Sequence, residues 1–120
     1  PIGRSCRAKN LQLMLFVNLK DVPSKELLPG FSGKMIHTEN MTLAYWDIKA
    51  GSVLPEHSHV HEQVAAQVIS GEFEMTLQGE TKVLKAGDVA IIPSNEIHSG
   101  KAITDCQLLD VFSPAREDYM

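Results

Sequence analysis

The chain has 120 residues, enough for one domain with one hydrophobic core, and its hydrophobic (43%) and charged (22%) fractions are those of ordinary globular proteins. A net charge of -4, from 11 basic and 15 acidic residues, argues against a basic face that grips nucleic acid irrespective of sequence. No apolar run approaches the roughly 20 residues of a membrane-spanning helix, and two cysteines, Cys6 and Cys106, are too few for a disulfide framework. A cytoplasmic protein with two thiols is therefore the expectation.

Residues 1–13 open with a basic stretch and read as a leader, either poorly ordered, an appended extension, or an edge strand given to a partner. The apolar piece over 11–17 includes Gln12 and lacks a small-residue cleavage pattern, so it does not read as a signal peptide. Met14 is a plausible natural start, and the domain is assigned to 14–120. A short strand is expected over 15–19, and a one-turn helix over 24–28, stopped by Pro29-Gly30.

Strand follows strand from there. They are expected over 34–37, 41–48, 53–59, 63–69, 72–77, 81–84, 89–92 and 107–112, with turns at Ala50-Gly51, Gln78-Gly79-Glu80 and Ala86-Gly87-Asp88. In the second of these, Thr42, Ala44, Trp46 and Ile48 share one face, and Leu43, Tyr45 and Asp47 the other. Short strands with turn signals at close, even spacing predict an all-β sandwich or barrel.

Four of the five histidines fall in two places: the run His57-Ser58-His59-Val60-His61-Glu62-Gln63, and His98. Two histidines one residue apart on a strand point to the same face. With an amide oxygen and a further imidazole they read as a mononuclear metal site of His57, His59, Gln63 and His98. His61 has the same parity and could replace Gln63. Glu62 could do so only if a bulge re-aims it. His37 has no such company and reads as structural. All four donors are neutral and no thiolate is among them, so one divalent ion (Mn, Fe, Ni, Co or Zn) would keep its full charge and favour an anionic ligand.

Two spacings then resemble the cupin superfamily. The first runs from Gly51 through His57, His59 and Gln63 to Gly71, and the second from Gly87 through Pro93 to His98. The resemblance implies a small jelly-roll-like β-barrel with the metal inside one mouth. It departs from the family pattern in one extra residue between Gln63 and Gly71, which suggests a bulge after the ligand or a different third ligand. A second departure is Asn95, where many members have glycine.

The tail, Leu109-Asp110-Val111-Phe112-Ser113-Pro114-Ala115-Arg116-Glu117-Asp118-Tyr119, is similar to that of single-domain cupins of the KdgF pectin-degradation type, which open the ring of unsaturated uronates. That resemblance implies a pocket lined by Asp110, Phe112 and Arg116. A second glutamine that the family carries two residues after the ligand is Ala65 here, with Gln67 two further on.

The residues themselves support part of this. A carboxylate on the inward face of an apolar strand is unfavourable unless paired, and its raised pKa would suit a general base. Arg116 offers a planar fork for a substrate carboxylate. Against this, Asp110 and Arg116 could simply pair to close the barrel, and Phe112 could be core. The expected protein is a metal-dependent enzyme acting on a small anionic sugar or keto acid, with Asp110 and Arg116 catalytic and Phe112 and Arg116 on the substrate. The rivals are a non-haem metal dioxygenase and a non-catalytic sugar- or metal-binding cupin. A homodimer is expected, to cover apolar sheet faces and edge strands.

Overall fold

The structure is a computed structural model that describes residues 15–120. The expected leader over 1–13 lies outside them. Ten strands follow in chain order: β1 Lys25–Leu28, β2 Phe31–His37, β3 Thr42–Ile48, β4 Val53–His57, β5 Glu62–Ser70, β6 Phe73–Leu77, β7 Glu80–Leu84, β8 Val89–Ile92, β9 His98–Ala102 and β10 Cys106–Ser113. They form a six-stranded sheet in the order β1-β2-β3-β10-β5-β8 and a four-stranded sheet in the order β4-β9-β6-β7. All pairings are antiparallel. This is the expected all-β, jelly-roll-like barrel.

Period-two patterning explains the layers. Thr42, Ala44, Trp46 and Ile48 of β3 are buried while their neighbours are not, and β10 buries Cys106, Leu108, Asp110 and Phe112 in the same way. Phe73, Phe112, Ile92 and Val68 are the largest apolar side chains wholly inside. Each such burial is worth about 1.5–3 kcal/mol. The β6–β7 hairpin turns on Gln78 (φ 53°) and Gly79 (φ 76°), both left-handed as a primed two-residue turn requires.

The register shift expected after Gln63 is present. Phe112 pairs with Gln63 and Val111 with Ala65, so residue 64 is the extra one on β5. A second shift, between Gln107 and Leu108 of β10, skips residue 69.

Two local expectations fail, and one strand was not expected. Residues 15–19 do not form a strand: the chain bends and enters a single 3-10 turn, Leu19–Asp21, capped by the Asn18 side chain 2.9 Å from the Lys20 amide. Residues 24–28 form not a helical turn but the edge strand β1, paired with β2. An isolated turn leaves most of its amides and carbonyls unpaired, whereas β2 offers partners. Residues 98–102 form a strand, β9, with no β-former signal: the run His-Ser-Gly-Lys-Ala holds its place because β4 and β6 pair with it on both sides.

Candidate metal centre and ligand cavity

Strand register gathers the polar side chains at one end of the barrel. On the six-stranded sheet Gln63 lies opposite Phe112 on β10 and Ile92 on β8, and Asp110 lies opposite Ala44. On the four-stranded sheet His57 pairs with His98, which in turn pairs with Leu77.

The sequence placed His57 and His59 together through the pleat, and here the mechanism differs. β4 ends at His57, and His59 sits on the following loop. That loop is pinned from the other motif: the Asn95 amide donates to the His59 carbonyl at 2.7 Å, and the Ser94 hydroxyl to the Val60 carbonyl at 2.6 Å. Asn95 is left-handed (φ 64°), which asparagine tolerates better than most residues and which accounts for its standing at a glycine position.

Ligand atoms of His57, His59 and His98 lie within 4.8 Å of one another. In each ring Nδ1 faces a backbone carbonyl: Pro55 at 2.8 Å, His61 at 2.8 Å and Glu96 at 2.9 Å respectively. A carbonyl only accepts, so Nδ1 carries a proton in all three, which leaves Nε2 as the nitrogen able to ligate. Nε2 of His59 is buried with no partner among the described residues. Burial lowers the pKa of His59 to about 4 and lowers that of His98, so both imidazoles are neutral near pH 7. Carbonyls that orient the far nitrogen of each ring, neutral imidazoles at His59 and His98, and the unpartnered Nε2 of His59 are what a metal ion needs from histidine. The donor set fits a divalent ion.

His61 is not part of this cluster, whose close ligand atoms come from His57, His59 and His98. Glu62 is exposed, as its parity implied, while Gln63 is buried and lines the cavity with the three histidines.

Asp110 is 8% exposed. Its Oδ2 accepts the Trp46 indole N–H at 3.0 Å, and its Oδ1 is buried without a donor among the described residues. Burial pushes its pKa up to about 7, against the pull of the nearby Gln63 amide, the Trp46 bond and the more distant Arg116 charge. The amide is close enough to draw the value down, but no hydrogen bond of good geometry reaches Oδ1.

Arg116 does not pair with Asp110. Its Nε and Nη2 donate to the two carboxylate oxygens of Asp118 at 2.9 and 2.7 Å. Its guanidinium lies 4.6 Å from the Phe112 ring centroid and 4.0 Å from that of Tyr119. The buried Arg116 amide donates to the Thr42 hydroxyl at 2.8 Å, which ties the tail to β3. Phe112 is both core and wall: it is wholly buried, and its ring stands edge-on to His59 at 5.6 Å.

Among the wall residues that the expected site did not include are Trp46 and Tyr119. Trp46 was visible as one of two aromatics on opposite faces of a strand. Tyr119, on the last 3-10 turn (Glu117–Tyr119), carried no periodic signal at all.

These groups line one cavity of about 360 Å3 between the sheets, a size usual for small-molecule sites. A two-sheet β-barrel with a three-histidine cluster inside one end defines the class. Residues 44–112 match the cupin domain family, and the chain belongs to that family. It is 31% identical over 103 residues to the pectin degradation protein KdgF of Dickeya dadantii, covering 83% of this chain and 93% of that protein. KdgF from Halomonas sp. superposes with a TM-score of 0.81 at 30% identity, over 89% of this chain and 98% of the other. An RmlC-like cupin from Shewanella frigidimarina superposes at 0.84 and 30% identity, over 89% and 96%. The likeness read from the tail thus extends over most of the chain.

Proposed function

We propose that the protein is a metal-dependent enzyme acting on a small anionic sugar or keto acid, and in its most concrete form that it opens the ring of unsaturated uronates. The observation that carries this reading is the placement of Asp110, buried and with Oδ1 lacking a donor among the described residues, in the same cavity as the three clustered histidines. The kinship with KdgF proteins, one of them named for pectin degradation, supports the substrate class.

His57, His59, His98 and Gln63 would hold the ion, which when bound would supply Lewis-acid polarisation of a substrate oxygen. Asp110, with a pKa of about 7, is suited to take and return a proton near neutrality. It would remove the proton of the hemiacetal hydroxyl. The carbonyl forms as the ring carbon–oxygen bond breaks, and the departing enol oxygen takes up a proton. Arg116 would face the substrate carboxylate with Nη1, which lies outside the Asp118 pair. Phe112 would give the sugar ring a flat wall.

Mixing the metal-loaded protein with lyase-generated unsaturated uronate and following its ultraviolet absorbance tests this. Absorbance is expected to decay faster than in buffer, and an unchanged rate rejects the ring-opening form.

No helix among the described residues is long and apolar enough to cross a membrane. The outer face of the six-stranded sheet presents Ile69, Val89 and Ile91, the last 64% exposed. A homodimer formed on this face would cover them; sedimentation equilibrium at the monomer mass would reject it. A cytoplasmic location remains part of the proposal, tested by cell fractionation.

A further inference from the structure

We propose that Tyr119 is the general acid of the ring-opening reaction, giving its phenolic proton to the enol oxygen as the ring bond breaks. The inference rests on the ring-opening reading and names the proton donor that such a reaction requires.

The chemistry sets where that acid must lie. In an unsaturated uronate the ring oxygen is bonded to two carbons, one carrying the hemiacetal hydroxyl and the other the carboxylate. With Asp110 on the hydroxyl and Arg116 on the carboxylate, the ring oxygen falls between them. Tyr119 lines the same cavity and has both residues as neighbours. Its phenol feels both charges, Arg116 lowering its pKa and Asp110 raising it. The Arg116 guanidinium lies 4.0 Å from the centroid of its ring. That ring also stands edge-on to Trp46 at 6.1 Å, the side chain whose indole N–H holds Asp110.

The other polar groups of the wall are unsuited to the task. Arg116 does not give up a proton in proteins, and neither the Gln63 amide nor the Trp46 indole titrates. The three histidines commit Nδ1–H to backbone carbonyls and offer Nε2 to the ion. Asp110 is already the base. Among the described wall residues, Tyr119 is the acid that remains.

The surroundings keep the phenol protonated and steady its anion. Burial, the largest influence, pushes its pKa up from an already high value, so it holds its proton near pH 7. As the proton leaves, the guanidinium beside the ring offsets the negative charge that develops. The ring is held in place: Phe112 meets it edge-on at 5.9 Å, and the Tyr119 amide donates to the Arg116 carbonyl at 3.1 Å.

The step balances without a co-reactant. Asp110 takes the hemiacetal proton, and the electrons of that O–H bond form the carbonyl. Those of the ring carbon–oxygen bond pass to the enol oxygen, which takes the phenolic proton. The proton held by Asp110 then returns to the phenolate through water.

The test is Tyr119→Phe in the full, metal-loaded chain, assayed by the decay of unsaturated-uronate ultraviolet absorbance. Phenylalanine keeps the ring contacts and removes only the hydroxyl. kcat is expected to fall about 100-fold or more, with KM within about twofold of the parent and with metal content and Tm unchanged. Tyr45 is the other tyrosine of the chain, on the opposite face of β3 from Trp46 and outside the cavity wall. Tyr45→Phe is expected to turn over at the parental rate. A parental kcat in Tyr119→Phe would mean that water protonates the enol; it overturns the proposal and leaves ring opening standing. A loss of kcat matched by an equal rise in KM and a lower Tm would make Tyr119 a packing partner of Arg116, and also overturns it. Absence of decay with the parent protein overturns the ring-opening reading and the proposal together.

Discussion

Trp46 and Asp110 are diagonal neighbours on the inner face of adjacent strands, and the indole N–H of one is held by Oδ2 of the other at 3.0 Å. The bond commits one carboxylate oxygen to the wall and leaves Oδ1 as the oxygen without a donor.

Removing that donor gives the first prediction. Trp46 is one of the influences that hold the Asp110 pKa down against burial. Trp46→Phe keeps an aromatic wall but withdraws the hydrogen bond. The Asp110 pKa is expected to move above its present value of about 7, so the acidic limb of the pH–rate profile shifts to higher pH. A profile that loses amplitude without shifting would show that the bond only packs the barrel.

Asp110 also makes stability depend on pH. Its folded pKa of about 7 lies above the ordinary carboxylate value, so the folded state favours its protonated form. That contribution is complete below about pH 4 and is lost as pH rises through 7. Asp110→Asn should therefore gain on the parent metal-free protein as pH rises, by about 2–3 kcal/mol between pH 5 and pH 8. His59 and His98, whose pKa values are lowered by burial, act in the opposite sense, losing stability as pH falls below about 6.5. They are common to both proteins and cancel in the difference. Urea unfolding of the two at several pH values is the measurement, and a difference that does not vary with pH contradicts it.

Gly100 couples the core to the metal centre. A Cβ there would lie 2.4 Å from the Phe73 ring, and its strand also carries His98. Gly100→Ala should cost about 1–3 kcal/mol, a fall of several degrees in Tm. Because β9 must shift, it should also weaken metal retention on dialysis. A variant as stable as the parent would mean the ring moves aside freely.

Arg116→Lys tests the fork. Lysine keeps the charge but cannot meet both oxygens of Asp118 or lie flat between Phe112 and Tyr119. KM for a carboxylate substrate is expected to rise about tenfold or more, with kcat changed less. Equal kinetic constants would remove Arg116 from the substrate.

Much of the barrel was legible in the chain because its strands alternate cleanly, and β3 and β10 bury the side chains that their period assigns. The extra residue before Gly71 likewise signalled the shift found at residue 64. Parity anticipated the burial of Gln63 and the exposure of Glu62. What escaped has physical causes. β9 was missed because its pairing partners, rather than its own propensity, make it a strand. β1 escaped because Pro29-Gly30 reads equally as a helix stop and as the tight turn that pairs β1 with the next strand, β2. The Asp118 pair with Arg116 and the Tyr119 wall depend on where the tail folds back, tied by Arg116 to Thr42, 74 residues away in sequence.

The central claim is that His57, His59 and His98, with Gln63, hold one divalent ion through imidazole Nε2 atoms. X-ray absorption at the edge of the retained metal, with its stoichiometry, tests it most directly. The account predicts one ion per chain, a first shell of about three imidazole nitrogens with the remainder oxygen, at roughly 2.0–2.2 Å for zinc, and loss of the ion in His98→Ala. A sulfur-containing shell, or stoichiometric metal retained by that variant, would contradict it.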